Sequence, residues 1–313
     1  MILRKSFCFV LLHRKILIMN KPRLALLIGI ICISIFPILV KLNYTPGLIS
    51  AFYRMLIAAV LVVPYALITR QLKWYSPKTM LLMVVCGILF GSDVAVWNIA
   101  IQQSTATQAS LLTNLAPVWV GVGSYFFLTN KPARNFWIGT VFALLGMVIL
   151  VGIDVFINFS FDTAFIFGVL SGVFYAMYIL VSKRVLNEVE VMPFMCYSLL
   201  TSSLFLGIVN FVVGSAFNGF SDKGWFVLFV QGVVCQLLAW TLLSYATQNM
   251  RATRVSLSLL SQAVLAAFLA WLFLDEEISL QMIGGGVIIL FGIGITFMDR
   301  PIAFFKYNEK RRR

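Results

Sequence analysis

The stretch AIQQSTATQASLLTNLAPVWVGVGSYFFLTN (Ala100–Asn130) recurs 146 residues further along the chain as ATQNMRATRVSLSLLSQAVLAAFLAWLFLDE (Ala246–Glu276), without a gap. The identical pairs in this register include Gln102/Gln248, Ala106/Ala252, Thr107/Thr253, Ser110/Ser256, Leu111/Leu257, Phe127/Phe273 and Leu128/Leu274. Continuing the register also pairs Gly139 with Gly285 and Gly146 with Gly292. The chain is therefore interpreted as two copies of one structural unit.

The amino-acid composition indicates whether this unit folds in water or in a membrane. The 313 residues are 61% hydrophobic and 11% charged, whereas an ordinary soluble domain is about 25% charged. About 20 apolar helical residues span a bilayer core, which predicts an all-α membrane protein of ten transmembrane helices. The predicted spans are Leu24–Val40, Leu48–Ile68, Met80–Ile101, Ala106–Leu128, Phe136–Ile153, Ala164–Val181, Phe194–Val213, Trp225–Ala246, Val255–Leu274 and Ile278–Met298.

Ten spans in two copies give five helices per copy, and an odd number forces the second copy to enter the membrane upside down. The charges of the loops support this inversion. TNKPAR (129–134) after the fourth span is basic, and its counterpart DEEISL (275–280) is acidic. STATQ (104–108) is uncharged, and its counterpart MRATR (250–254) is basic. The sequence thus predicts two inverted five-helix repeats, an architecture typical of secondary transporters.

The distribution of basic residues predicts the orientation. With a cytoplasmic N-terminus, all but three of the 24 Lys and Arg residues fall on the inner side or in the terminal arms; Lys41, Arg54 and Lys223 are the exceptions. This is the positive-inside bias, and it predicts a multi-pass protein of a bacterial-type plasma (inner) membrane with both termini in the cytoplasm. The net charge of +13 is accounted for in this way, so no nucleic-acid partner is expected.

The predicted organisation has four parts. Residues 1–23 form a cytoplasmic arm, 24–153 the first repeat, 154–299 the second, inverted repeat and 300–313 a basic cytoplasmic tail. The apolar N-terminal run is interrupted by charged residues and lacks a small-residue cleavage site, so no cleaved signal peptide is expected. Met1 and Met19 are both candidate starts, and a start at Met19 would leave 1–18 as an extension.

Three stretches resemble the drug/metabolite transporter superfamily, in particular its EamA-type ten-helix members. They are AFYRMLIAA (Ala51–Ala59), STATQASLLTNLAPVWV (Ser104–Val120) and ATRVSLSLLSQAVLAAFLAWLFLDEEIS (Ala252–Ser279), and the similarity extends over roughly residues 24–298. The resemblance implies a carrier for small metabolites that alternates between outward-open and inward-open states. Amino acids, amines, nucleoside-like cofactors and drugs are all substrates within the superfamily.

The chain also departs from the family pattern. Members often carry Trp in the first and sixth spans, where this chain has Phe36 and Tyr175, and often end both the fourth and ninth spans with Glu. Here the ninth span keeps Glu276 and the fourth has Asn130. A symmetric pair of gating glutamates is therefore not expected.

Two charged residues lie inside the predicted spans, Arg54 in the second and Asp93 in the third. Both lie about 10–12 Å below the outer ends of their helices. A lone ion at the bilayer centre costs roughly 2.5–3.5 kcal/mol on insertion scales, and pairing relieves much of that cost. The second repeat has lost both charges, since Ser198 and Ala239 occupy the matching positions. The shared depth predicts a direct ion pair, which would act either as a charged substrate pocket or as a structural link.

Polar and aromatic residues near this depth complete the predicted site. Tyr53, Ser92, Asn98 and Asn114 are expected to form a polar collar, because lipid would not tolerate these amides. For a single Tyr or Trp, packing is the competing interpretation. Pro117 is predicted to kink the fourth helix. The candidate substrate-binding residues are Tyr53, Arg54, Asp93, Trp97, Asn98, Asn114, Tyr175, Gln236, Trp240 and Gln262.

The inventory of motifs argues against other function classes. The sequence has no phosphate-binding loop for ATP, its one histidine, His13, lies outside the spans, and a single intramembrane Asp cannot form a protease dyad. No enzyme activity, cofactor or metal is expected. The glycines of 139–146, 168–172 and 284–294 would allow close helix packing, within the chain or in a homodimer.

The sequence therefore predicts a secondary-active exporter of small polar or amphipathic, amino-acid-like or amine-like metabolites. An uptake carrier for a nucleoside-like cofactor and a drug efflux carrier remain as alternatives. A channel and a membrane scaffold or receptor are more remote.

Overall fold

The computed structural model describes residues 21–103, 112–152, 163–274 and 277–298, and its regular elements in these ranges are all helices. They are α1 (Lys21–Val40), α2 (Gly47–Ile68), α3 (Pro77–Gln103), α4 (Ala116–Phe127), α5 (Arg134–Val151), α6 (Thr163–Val185), α7 (Val191–Val213), α8 (Asp222–Asn249), α9 (Ala252–Ser258 with Ser261–Leu274) and α10 (Leu280–Phe297). Nine of these described helices are long and apolar enough to cross a membrane. Within its described part α4 is shorter, because residues 104–111 of the predicted fourth span lie outside the described ranges. The predicted all-α, ten-helix fold is confirmed.

Several helix starts are set by capping residues rather than by hydropathy. Ser221 precedes α8 and its Oγ accepts a hydrogen bond from the N–H of Gly224 at 3.2 Å. Ser279 precedes α10 and accepts from the N–H of Met282 at 3.1 Å. A serine at this position satisfies a backbone donor that the first turn leaves free. As a result α8 begins before the predicted Trp225, and α10 begins just after the predicted start.

The repeats comprise α1–α5 and α6–α10, and their last helices, α5 and α10, pack along each other. Four glycines make this contact, which we call the glycine seam: Gly139, Gly146, Gly285 and Gly292. A Cβ on Gly285 would lie 2.6 Å from the carbonyl oxygen of Gly146, and a Cβ on Gly292 would lie 2.6 Å from that of Gly139. The two backbones therefore touch where neither helix carries a side chain, as in other close membrane-helix contacts.

Most of the predicted dimer glycines are used within the chain. The seam takes four of them, and Gly168 and Gly172 of α6 contact Leu112 and Thr113 at the start of the fourth span. Gly284 and Gly294 have open space around them in the described structure. A homodimer therefore stays a prediction, and among the described glycines of these stretches Gly284 and Gly294 are the ones with room for a partner helix.

The repeats also interlock through their inner helices. Helix α3 packs against α6 and α7, and α2 packs against α7 and α8. The main buried cluster runs through this contact, with Met55 and Met83 of the first repeat and Phe194 and Leu206 of the second fully enclosed. Residues at the centre of α3 are thus surrounded by both repeats.

Three spans depart from regular α-helix near the middle of the fold. The fourth span is interrupted by a turn at Asn114–Leu115 and the ninth by a turn at Leu259–Leu260, positions that nearly coincide in the repeat register. Helix α8 contains a π-helical segment, Gln231–Leu238. Interrupted helices in matching positions of the two halves are characteristic of transporters, and π segments are frequent at functional sites.

The two interruptions have different local causes. Pro117 lies in the first turn of α4, and its nitrogen cannot donate to the carbonyl of Thr113. The second repeat has Ala263 in the matching place, but the Oγ atoms of Ser258 and Ser261 donate to backbone carbonyls one turn earlier. Serine bonds of this kind bend helices. The break is therefore a property of both repeats and does not depend on proline alone.

Candidate functional site

Asp93 lies where two helices of the first repeat meet one helix of the second. Its side chain is 7% exposed, and its Oδ1 accepts a hydrogen bond of 2.6 Å from the hydroxyl of Ser171 on α6. The Ser171 Oγ lies 2.9 Å from the Oγ1 of Thr113. Because Ser171 gives its one proton to Asp93, Thr113 is the donor in this second bond. The chain Thr113–Ser171–Asp93 therefore links the fourth span and α3 of the first repeat to α6 of the second.

Arg54 on α2 is also buried, with 4% of its surface exposed. Its guanidinium carbon lies 4.3 Å from the centroid of the Phe36 ring on α1, a cation–π distance. Its Nε is buried and has no hydrogen-bond partner among the described residues. Such an unmet donor carries a desolvation penalty.

The predicted direct ion pair between Arg54 and Asp93 is wrong for this conformation. Among the described residues the ion pair found is Lys73–Glu190, while Asp93 bonds to Ser171 and Arg54 stacks on Phe36. The charged groups of Arg54 and Asp93 are not within ion-pairing distance of each other. The prediction used only the depth of each residue in the membrane. Depth does not determine the direction in which a side chain leaves its helix, so two residues at equal depth need not face each other.

An aromatic group lies beside Asp93, towards the middle of the fold. The rings of Phe90 and Tyr178 stack with centroids 4.8 Å apart, and Trp240 meets Phe90 edge-on at 4.5 Å. Tyr175 contacts Trp240 at 6.2 Å and lies one helical turn from Ser171 on the same face of α6. We call these four residues the central aromatic cluster. It joins α3 to α6 and α8 and therefore spans the interface between the repeats.

Trp240 and Gln236 carry polar atoms that this packing leaves unmet. The indole Nε1 of Trp240 and the Oε1 of Gln236 are buried without a hydrogen-bond partner among the described residues. Gln236 belongs to the π-helical segment, in which Gln231 accepts a 2.5 Å hydrogen bond from Ser50 of α2. Buried polar atoms without partners are rare, so these two are candidates to bind substrate or water.

The predicted polar collar does not form a single ring. Tyr53 donates to the carbonyl of Phe217 at 2.5 Å, in an aromatic group at the end of the fold that contains the α7–α8 loop. Asn98 donates to Val94 of its own helix at 2.8 Å. Trp97 contacts Phe36 with ring centroids 6.3 Å apart, so it shares a partner with Arg54.

The two remaining candidates lie at the interrupted helices. Asn114 is part of the break in the fourth span and is half-buried. Gln262 is half-buried just after the break in α9, where its N–H donates to the carbonyl of Leu259 at 3.0 Å. Among the described residues no group of three His, Cys, Asp or Glu side chains comes together in a way that suits a metal.

A small cavity lies beside the central aromatic cluster. Its lining includes Tyr178 and Trp240 of that cluster and Leu259 at the break in α9. A second, polar pocket lies between the repeats at the C-terminal end of α8 and has Asn130, Lys183 and Thr253 in its lining. Lys183 donates to the carbonyls of Thr247 and Gln248 at 2.8 Å each, so it binds the end of α8.

Loops of the two repeats are tied together at this same end. The Nζ of Lys73 lies 2.6 Å from the Oε1 of Glu190, and this hydrogen bond raises the pKa of Lys73. Gln248 donates to the carbonyls of Leu186 and Val189 at 2.9 and 3.0 Å. The contacts join the α2–α3 and α6–α7 loops and the end of α8.

Two residues central to this geometry were missed from the sequence, Ser171 and Thr113. Ser171 lies within GVLSG (168–172), which was interpreted as a packing motif only. Its spacing of four residues from the candidate Tyr175 was the signal available, because such a pair shares a helix face. Thr113 was overlooked beside Asn114.

Comparison with known proteins agrees with this architecture. The uncharacterized transporters YdfC and YoaV of Bacillus subtilis are 24% and 23% identical to the chain, covering 82% and 84% of it and 83% and 92% of their own lengths. An uncharacterized transporter of Archaeoglobus fulgidus is 24% identical over 79% of the chain and 86% of its own length. A crystal structure of a protein of 15% identity superposes with a TM-score of 0.74, covering 89% of this chain and 97% of that one.

The family model that matches is that of the EamA-like transporter family, and it matches twice, over residues 21–152 and 162–298. These matches include both helices that carry the buried charges and all three that form the central aromatic cluster. The chain therefore belongs to the EamA-like transporter family.

Proposed function

We propose that this membrane-embedded transporter is a secondary-active carrier that exports small metabolites bearing both an amino group and a carboxylate, or an amine alone, by alternating access. The observation that carries the proposal is that Asp93 and Arg54 are buried at the repeat interface without a direct ion pair. Each charge keeps capacity for a substrate group, because Asp93 accepts one hydrogen bond, from Ser171, and the Nε of Arg54 has no partner among the described residues.

A zwitterion matches this arrangement. Its carboxylate would bind the guanidinium of Arg54, which is suited to bidentate pairing. Its ammonium would bind Asp93, or lie against Trp97 by cation–π attraction. The central aromatic cluster supplies an apolar wall for a side chain. The Nε1 of Trp240 and the Oε1 of Gln236, which have no partner among the described residues, add one donor and one acceptor.

The architecture suggests how the site would change its access. The Ser171–Asp93 bond crosses between the repeats, so a substrate that competes for Asp93 would weaken a contact that holds them together. The breaks in the fourth and ninth spans supply matching places where each repeat can bend. Substrate binding and repeat movement would thereby be coupled through one carboxylate.

The remaining features belong to the same proposal. We propose a bacterial-type inner membrane and cytoplasmic termini, which the positive-inside bias supports. It is proposed to act without enzymatic chemistry, cofactor or metal, and the two repeats are assigned to residues 24–153 and 154–299.

The test uses purified protein in two assays. A thermal-shift screen against amino acids, amines, nucleosides and dyes would identify a ligand, and proteoliposomes would measure its saturable flux with and without a pH gradient. Arg54→Ala and Asp93→Asn should each reduce ligand binding, whereas Lys78→Ala on the exposed surface should not.

Two results would contradict the proposal. If Asp93→Asn abolishes gradient-driven accumulation while leaving binding and exchange intact, Asp93 carries a coupling proton rather than the substrate's ammonium. Single-channel currents in place of saturable flux would indicate a channel.

A further inference from the structure

One corner of the fold concentrates arginines where α1, α5, α9 and α10 meet. The guanidinium carbons of Arg23 and Arg254 each lie 5.6 Å from the centroid of the Phe297 ring. Arg134, Arg251 and Arg254 line one pocket. We call Arg23, Arg134, Arg251 and Arg254 the arginine corner.

The walls of this pocket are held in place by hydrogen bonds between helices. The Nε of Arg254 donates to the carbonyl of Thr296 at 2.9 Å, and the Nδ2 of Asn135 donates to that of Met298 at 3.0 Å. Asn135 itself is 3% exposed. The pocket is therefore built by α5, α9 and α10 together and is not formed by mobile surface side chains alone.

Three of the four arginines in the corner carry positive charges that no acidic side chain of the described residues neutralises. Arg23, Arg134 and Arg251 have no acidic partner among the described residues, and no acidic side chain from those residues lines the pocket. The first turn of α5 adds to the field, since its N-cap Ala133 offers no capping side chain and no acid follows. The positive end of an 18-residue helix thus faces the same pocket.

The surroundings favour a lipid over a soluble anion. Leu24 and Leu27, next to Arg23 on α1, are 56% and 54% exposed, and Val141 on α5 is 58% exposed. These apolar side chains continue from the arginines towards the middle of the membrane, where acyl chains lie. Basic pockets between membrane helices bind anionic head groups, and guanidinium groups suit phosphate oxygens.

We propose that the arginine corner binds the phosphate head group of an anionic phospholipid, with the acyl chains along the exposed apolar faces of α1 and α5. On the orientation proposed above, this lipid belongs to the cytoplasmic leaflet. The site is separate from the buried charges of the transport site and does not depend on the identity of the transported metabolite.

The test measures lipid binding to the full chain in a neutral detergent. The probes are phosphatidylglycerol, phosphatidylcholine and inorganic phosphate, with retained lipid counted by native mass spectrometry over a concentration series. The variant is Arg134→Ala with Arg251→Ala. The matched control is Lys78→Ala with Arg184→Ala, which removes two exposed charges outside the pocket.

The wild type should retain phosphatidylglycerol in preference to phosphatidylcholine. The double variant should lose about 25-fold in affinity for phosphatidylglycerol, from roughly fivefold per cation, and the control should keep it. Arg134→Lys with Arg251→Lys should keep part of the preference, because charge remains while bidentate geometry is lost.

Three results would overturn the proposal. Equal retention of the two lipids by the wild type would mean that the corner has no anion preference. Equal losses in the double variant and the control would indicate a general surface-charge effect. Displacement of phosphatidylglycerol by inorganic phosphate at comparable concentration would assign the site to a soluble anion.

Discussion

The glycine seam allows a quantitative prediction from two neighbouring residues. In Gly285→Ala the new methyl would lie 2.6 Å from the carbonyl oxygen of Gly146 and even closer to the N–H of Leu150, so α5 and α10 must move apart. Neither obstacle is a side chain that could rotate away. Gly284→Ala adds the same methyl one residue earlier, where no described atom outside the adjacent turns of its own helix lies within 4 Å.

Both substitutions gain helix propensity, but only Gly285→Ala also forces two packed backbones apart. Each gains up to about 1 kcal/mol of helix propensity, but overpacking should cost Gly285→Ala about 1–3 kcal/mol. The free energy of unfolding should therefore be about 1–3 kcal/mol lower for Gly285→Ala than for Gly284→Ala. Unfolding in mixed detergent micelles, followed by tryptophan fluorescence, measures this difference. Equal stabilities, or a lower stability for Gly284→Ala, would refute the reasoning.

Three other predictions concern the links between the repeats and their orientation. A double-mutant cycle of Ser171→Ala with Asp93→Asn should give a coupling energy of about 1 kcal/mol or more. In the control cycle, Ser202→Ala should show no coupling with Asp93→Asn, because the hydroxyl of Ser202 donates to the carbonyl of Gly87. A larger coupling energy for Ser202 than for Ser171 would contradict the Ser171–Asp93 hydrogen bond. Cysteines at Lys131 and Lys223, in a background without native cysteines, should react with an impermeant maleimide only from the inside and only from the outside respectively, and labelling of both from one side would exclude the inverted arrangement. Glu190→Gln should remove the cause of the raised pKa of Lys73, so at alkaline pH more Lys73 is uncharged and its acylation, measured by mass spectrometry, should be faster while that of Lys78 is unchanged. The stabilisation linked to Lys73 is complete at neutral pH and is lost only as the pH rises through the raised folded pKa.

The sequence contained enough to predict the fold because two independent patterns agreed. Hydropathy gave the number of helices, and the register that pairs Gly139 with Gly285 gave the repeat. The starts of α3 and α8 were missed by a few residues, because Pro77 and the cap Ser221 extend these helices beyond the apolar stretches. Capping depends on hydrogen bonds that a hydropathy average does not contain.

The candidate site was predicted less completely. Arg54 and Asp93 stood out because charges are rare in membrane helices, and both are buried. Their direct contact was not predictable, since helix depth leaves the rotation of each helix about its axis undetermined. Ser171 was missed because the sequence around it is the same for a serine that packs between helices and for one that donates a hydrogen bond to a carboxylate.

The glycine seam has a further consequence in the symmetry of its contacts. Gly139 meets Gly292 while Gly146 meets Gly285, and each of these contacts is the image of the other under the repeat register. The last helix of each repeat therefore uses the same face to contact the other, as the two subunits of an isologous dimer do. A chain of half this length carrying such a helix would be able to bind a second, oppositely inserted copy of itself through the same face. Joining two such copies in one polypeptide preserves the contact and frees each half to diverge, which is how the first repeat can carry Asp93 while the second has Ala239 in the matching position.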